Sequence, residues 1–319
     1  MSKRIIILVM VVVFLSCSKP LYKNKFIISG TYLKVTSSDK RASKIVYREF
    51  KRLDNIFNIY NDKSELSKLN KTYNLPFKVS DELIELLRLS QDICNLSEGA
   101  FDVSHGVLYK FWKKLISDGN LREFPTPEAI AKIKEIGGMK KIEIDPNKKT
   151  VTIKRQGLII DLGGIAKGYM VDKAISALKE AGINSALINA GGDIYCLGMN
   201  RDVPWEVGVQ DPKQSLDILG SELLINQAIA TSGGYEQFFT FKGKEYSHLI
   251  DPRKGYPVDN NLISVSVISE KGVASDGLTT AISIIGLGGV KEFISKNPLK
   301  IKVFLVYFDG QDRKVHIFE

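Results

Sequence analysis

The chain has 319 residues, a net charge of +9 and three cysteines. That length allows one large core or two closely packed subdomains. Two cysteines beyond Cys17 are too few for a disulfide framework, and Cys94 and Cys196 sit in apolar settings that suit buried free thiols. The lysines and arginines are interleaved with acids, with no basic block beside an aromatic platform, which argues against nucleic-acid binding.

The first residues read as an address. Lys3 and Arg4 precede an apolar run over 5–15. A spanning helix needs ~20 apolar residues, so this run fits the core of an export signal instead. Leu15-Ser16-Cys17 resembles a bacterial lipobox. The expectation is a lipoprotein signal over 1–16 and an acylated Cys17. The product is then an exported, membrane-anchored lipoprotein facing the periplasm or cell exterior; ordinary signal cleavage nearby is the alternative. Losing Lys3 and Arg4 leaves a net charge of +7. Residues 18–26 read as a tether, followed by a domain over 27–319.

A first strand is expected over 26–35, with Gly30 as a bulge. Val46, Phe50, Leu53, Phe57 and Tyr60 step by four, three, four and three, which makes one helical face. Leu66 and Leu69 suggest a short turn of helix. Ser80 before Asp81 and Glu82 reads as an N-cap of a helix carrying Leu83, Leu86, Leu87 and Ile93. Thr126-Pro127 opens another helix, which Gly137-Gly138 ends. A hairpin over 141–155 turns at Asp145-Pro146-Asn147. A strand at 158–160 runs through a glycine-rich turn into a helix over 165–180. Strands follow at 185–189, 205–210, 236–241 and 262–269, then a helix over 276–285. The closing hairpin, 301–308 with 315–318, turns at Asp309-Gly310. Adjacent antiparallel pairs with helices between groups predict an α+β fold with mixed or antiparallel sheets.

Three segments carry chemistry. In DLGGIAKGY (161–169) an acid leaves a strand, two glycines turn the chain, and Lys167 stands on the first turn of a helix. Glycines let backbone approach a ligand, and a helix start suits an anion such as a pyrophosphate. The spacing matches neither a P-loop nor a dinucleotide fingerprint, and an ordinary strand-to-helix turn gives the same pattern. In SDGLTTAISIIG (275–286) Asp276 and Thr280 lie four apart on a helix and point the same way. A carboxylate, a hydroxyl, a carbonyl and waters suit Mg²⁺, although a dipole partner and a packing threonine read the same way. In SHLIDPRKGYPV (247–258) His248, one of three histidines, suits an acid or base, or a structural hydrogen bond.

These segments, in this order, resemble the FAD:protein FMN transferase family, often called ApbE. SGTYL (29–33), IYNDKSELSKLN (59–70), SEGAFDVSHGVLYKFW (97–112), AGGD (190–193) and TSGGY (231–235) extend the likeness over nearly the whole chain after the signal. Ser29 replaces a usual Met, and Val107 stands where the family has Pro. The resemblance implies FAD in a cleft between two lobes, near Ser29, Tyr60, Ala100, Phe101, Asp102, Asp161, Lys167 and Ile250. It implies Mg²⁺ on the Gly164 carbonyl and the side chains of Asp276 and Thr280. It also implies transfer of FMN to a threonine of an acceptor flavoprotein subunit in a membrane redox complex, with AMP released. His248 is the first candidate base and Asp276 the second. Two other functions share the same site: an Mg²⁺-dependent FAD pyrophosphatase and a non-catalytic flavin-binding lipoprotein.

Overall fold

The structure, a computed structural model, describes residues 20–117, 123–210, 218–233, 238–241, 244–310 and 312–319. The expected signal, Cys17, the start of the tether and residues 234–237 lie outside the described residues.

Strand structure begins at Tyr22, inside the stretch read as a tether. Strands β1 (Tyr22–Ile28) and β2 (Thr31–Ser37) form a hairpin, not one strand over 26–35. Ser29 and Gly30 make the turn at φ 53° and 74°. Two consecutive left-handed residues match the twist of the flanking strands. Serine is an uncommon choice there, so the apolar pattern runs through the turn without a break. Helix α1 (Ala42–Phe57) buries Val46, Phe50, Leu53 and Phe57 on one face. It stops at Asn58, whose backbone is extended and whose side chain binds the Asp54 carboxylate at 3.2 Å. Tyr60 therefore lies past the helix and is 74 % exposed, contrary to its place on the expected face.

Helix α2 (Glu65–Leu69) and strand β3 (Phe77–Lys78) lead to α3 (Asp81–Leu96). The Ser80 hydroxyl accepts the Leu83 N–H, so the expected cap is present. Helix α4 (Gly106–Ser117), which has no counterpart among the expected elements, precedes α5 (Pro127–Lys134), capped by Thr126. Strands β4 (Ile142–Asp145) and β5 (Thr150–Ile153) form the expected hairpin and join β3 in a small sheet. Residues 158–160 form no ladder strand. Leu158 and Ile160 are buried, but Asn70 meets both polar groups of the Ile160 backbone, at 2.9 and 2.8 Å. Ile159 also makes a single parallel bridge with His105, so backbone and side chain share the pairing of this segment.

Helix α6 (Ala166–Glu180) leads to β6 (Ala186–Ala190) and β7 (Asp193–Leu197), a hairpin turned by Gly191 and Gly192 at φ 63° and 99°. Strands β8 (Trp205–Gln210), β9 (Ile218–Leu224), β10 (Gln227–Gly233), β11 (Phe238–Phe241) and β12 (Lys244–Ser247) follow. The short pair β13 (Ile250–Asp251) and β14 (Tyr256–Pro257) precedes β15 (Leu262–Ser269). The chain closes with α7 (Gly272–Ile285), α8 (Leu287–Lys296), β16 (Lys302–Asp309) and β17 (Asp312–Phe318).

The main sheet has the order β1-β2-β6-β7-β10-β15-β16-β17, with every described pair antiparallel. Helices α1, α6 and α7 lie side by side over one face. On the other, the β8–β9 hairpin packs Trp205, Val207, Val209 and Leu224 over Cys196, Ile229, Ile268 and Phe304. The fold is α+β. Cys94 and Cys196 are free and buried, and burial pushes both thiols up to about 12. No helix among the described residues is long and apolar enough to cross a membrane.

Helices α6 and α7 approach through Gly168 and Gly272. A Cβ on Gly168 would overlap the Gly272 carbonyl and lie 2.7 Å from the Asp276 Cβ. Overpacking a rigid contact of this kind costs about 2–3 kcal/mol. Gly168→Ala should therefore lower the urea midpoint of unfolding by that equivalent; an unchanged midpoint would mean the helices can slide apart freely.

Candidate active site

The DLGGIAKGY turn folds as a braced loop. The Asp161 N–H donates to the Val103 carbonyl at 2.8 Å, and the Asp161 carboxylate accepts the Gly163 N–H at 2.9 Å. Asp161 thus fixes the glycine turn and ties it to the loop holding Ala100, Phe101 and Asp102. Gly164 faces α7: a Cβ there would lie 3.2 Å from Thr280 Oγ1 and 3.4 Å from the Phe101 ring. The absent side chain lets the turn, the Thr280 hydroxyl and Phe101 meet.

One helical turn before Thr280, the buried Asp276 carboxylate accepts the Gly168 N–H at 2.9 Å. This N–H in the first turn of α6 is therefore satisfied by protein and is not offered to an anion. Lys167 projects beside it. Its ammonium pairs with the Asp193 carboxylate and lies 3.8 Å from that of Asp276. Burial, reinforced by the nearby Asp276 charge, pushes the Asp193 carboxyl up to about 7 against the pull of Lys167. Lys167 is about a third exposed, so its charge can still reach a ligand.

Asp193 is the residue that the sequence reading missed. It ends the AGGD motif, and its position at the start of β7, directly after a two-glycine turn, is the signal that could have singled it out. Asp172 also went unremarked. Its carboxylate accepts the Gly272 and Val273 N–H groups at 2.6 and 2.9 Å, so α6 caps the start of α7.

The other candidate residues form separate groups. Ser29 Oγ donates to Asp54 at 2.7 Å, Asn58 binds the same carboxylate, and the Tyr60 N–H donates to Asn58 at 2.9 Å. Lys113 on α4 donates to the Tyr60 hydroxyl at 2.9 Å and lies over its ring. Ser29 and Tyr60 are thus linked around the end of α1. Ala100 is buried with Val258 and Ile284, and Ile250 with Leu108, Trp112 and Ile130. The Asp102 carboxylate accepts from the Ser104 N–H and hydroxyl, at 2.8 and 2.5 Å, and stands 3.6 Å from His105. Its side chain organises the loop. His248 lies half-buried between β12 and β13.

Asp276, Thr280 and Gly164 offer a carboxylate, a hydroxyl and a carbonyl, all hard oxygen donors. Such a set fits Mg²⁺, which takes few protein ligands and shares phosphate oxygens. Among the described residues no three His, Cys, Asp or Glu side chains gather as a metal cluster, so a metal here would rest on this mixed set.

The ApbE family model matches residues 29–305. The FAD:protein FMN transferase of Vibrio cholerae serotype O1 is 32 % identical over 277 residues, covering 84 % of this chain and 81 % of the relative. That of Haemophilus influenzae is 27 % identical over 294 residues, covering 89 % and 83 %. The solved flavin transferase ApbE from Vibrio cholerae superposes with a TM-score of 0.81 at 27 % identity, covering 93 % of this chain and 97 % of that one. The ApbE protein from Thermotoga maritima also gives 0.81, at 28 % identity, covering 93 % and 96 %. With the family match spanning most of its length and the same fold in solved members, this chain belongs to the ApbE family.

Proposed function

We propose that the chain is an FAD:protein FMN transferase that moves FMN from FAD onto a threonine of an acceptor flavoprotein. The observation that carries this reading is the junction of α6 and α7. There a part-exposed cation, Lys167, stands beside an acid-and-hydroxyl pair, Asp276 and Thr280, across a side-chain-free turn at Gly164.

In this reading the FAD diphosphate lies over the glycine turn, with Lys167 against its charge. Asp193 holds the ammonium from behind, so the lysine is positioned before substrate arrives. Phe101 gives the turn an apolar wall, while Ser29, Tyr60 and Ile250 bound the flavin and nucleoside ends. Magnesium, held by Asp276, Thr280 and the Gly164 carbonyl, would supply positive charge where it builds on the phosphate oxygens.

The acceptor threonine Oγ forms a bond to the FMN phosphorus. The bond from that phosphorus to the bridging oxygen breaks, and AMP leaves with the electron pair. His248 takes the threonine proton. Asp276 suits that role less well, because the Gly168 N–H and Lys167 already engage its carboxylate. The acceptor is proposed to be a subunit of a membrane redox complex, which a lipid-tethered enzyme outside the cytoplasm would be placed to meet.

A hydrolase would use the same site with water as nucleophile. The test is AMP release from FAD, with and without an acceptor. The transferase releases AMP only with acceptor present, and chelation with EDTA stops it, with activity returning on adding Mg²⁺. Acceptor-independent AMP release would support the hydrolase instead. No AMP under any condition would leave a binding protein.

A further inference from the structure

We propose that the end of the main sheet bearing Tyr22, Met199, Val203 and Ile225 rests on the phospholipid surface, so that the active site faces away from the bilayer. This rests on the reading of Cys17 as the acylated residue. Tyr22 is five steps along the chain from Cys17, a reach of at most ~18 Å even when fully extended. Whatever surrounds Tyr22 is therefore held against the membrane.

The surface at that point is built for contact. Tyr22, Met199, Val203 and Ile225 are 41–58 % exposed. Tyr22, Met199 and Ile225 line one depression together with Lys40 and Arg201. Asp39, the acid of that depression, is paired with Arg41 at 2.7 Å. Apolar side chains flanked by cations suit the headgroup boundary, where apolar groups enter by ~5–10 Å and cations meet lipid phosphate. A patch beside a lipid anchor also supplies a second attachment.

The topology then fixes the direction of the active site. Lys167 stands at the start of α6, and Gly182, just past its end, lines the depression. Fifteen helical residues span ~22 Å. Asp193 opens β7, and Gly198, just past its end, lines the depression as well. Ser185, before β6, does the same from the antiparallel neighbour. Helix and strands alike put the catalytic cluster at the pole opposite the depression, ~20 Å out from the lipid. An acceptor residue must then be presented at that height.

The test uses the full-length acylated chain in vesicles of phosphatidylcholine and phosphatidylglycerol. An environment-sensitive fluorophore is placed through Met199→Cys, or through Asp312→Cys at the Asp193 end of the sheet. Cys94 and Cys196 are buried, so labelling selects the introduced thiol. Brominated lipid should quench the probe at 199 by more than about half and the probe at 312 by less than about a tenth, given the shallow depth of interfacial groups. Vesicle-bound protein with no quenching at 199, or with quenching at 312, would overturn the orientation while leaving the anchor standing. Protein that fails to sediment with vesicles would overturn the anchor and the orientation with it. Shielding of the 199 probe without vesicles would also overturn the proposal. If it rises with protein concentration it assigns the face to a second copy; if it does not, to the rest of the same folded chain.

Discussion

Asp276→Asn is expected to lower flavin transfer by about a thousandfold while leaving the unfolding midpoint nearly unchanged. Asparagine keeps the volume of the side chain and one oxygen to accept the Gly168 N–H, so the α6–α7 contact survives. What disappears is the negative charge facing Lys167 and the strongest oxygen donor of the proposed metal set. Removing a preorganised electrostatic group from a buried site costs ~10²–10³ in rate, and loss of the metal's own contribution adds to it. The measurement is the turnover of acceptor modification at saturating FAD, beside a urea melt of the same preparation. Transfer within tenfold of the parent would remove this carboxylate from the reaction. Asp276→Ala should lose as much activity and also stability, because the buried Gly168 N–H is left without an acceptor, at about 1–3 kcal/mol.

Lys167→Met carries the second large effect. Methionine preserves the apolar stem of the lysine and removes its charge. Affinity for FAD should fall by about a hundredfold, in the range of a lost charge-assisted contact of ~1.5–3 kcal/mol. Riboflavin, which lacks the diphosphate, should bind nearly as before. The contrast between the ligands separates a phosphate contact from general damage. The variant also leaves Asp193 beside Asp276 without its cation, and the Asp193 carboxyl, already pushed up by burial and the Asp276 charge, loses the pull that Lys167 exerts downward. Titration calorimetry with both ligands gives the answer; equal losses would mean that Lys167 never meets phosphate.

Most of the architecture could be read from local chemistry. Ser80 and Thr126 cap where their hydroxyls and following acids or proline indicate. The i, i+4 pair Asp276 and Thr280 was visible as one helical face, while only the family resemblance put Gly164 beside it. What escaped is long-range. Helix α7 begins at Gly272, not Asp276, because a carboxylate a hundred residues earlier, Asp172, satisfies its first N–H groups. Residues 158–160 look like a strand because they are apolar, yet they make only one bridge, from Ile159 to His105, and Asn70 meets the Ile160 backbone. Asp193 pairs with Lys167 only once two separate turns are folded together. In each case a side chain distant in sequence decides the outcome, and no periodicity records it.

The most direct test is the mass of a candidate acceptor after incubation with this protein, FAD and Mg²⁺. The account predicts a gain of one FMN less one water on a single threonine, absent when the acceptor is incubated with the Asp276→Asn chain. AMP appearing in solution while the acceptor's mass stays the same would contradict it.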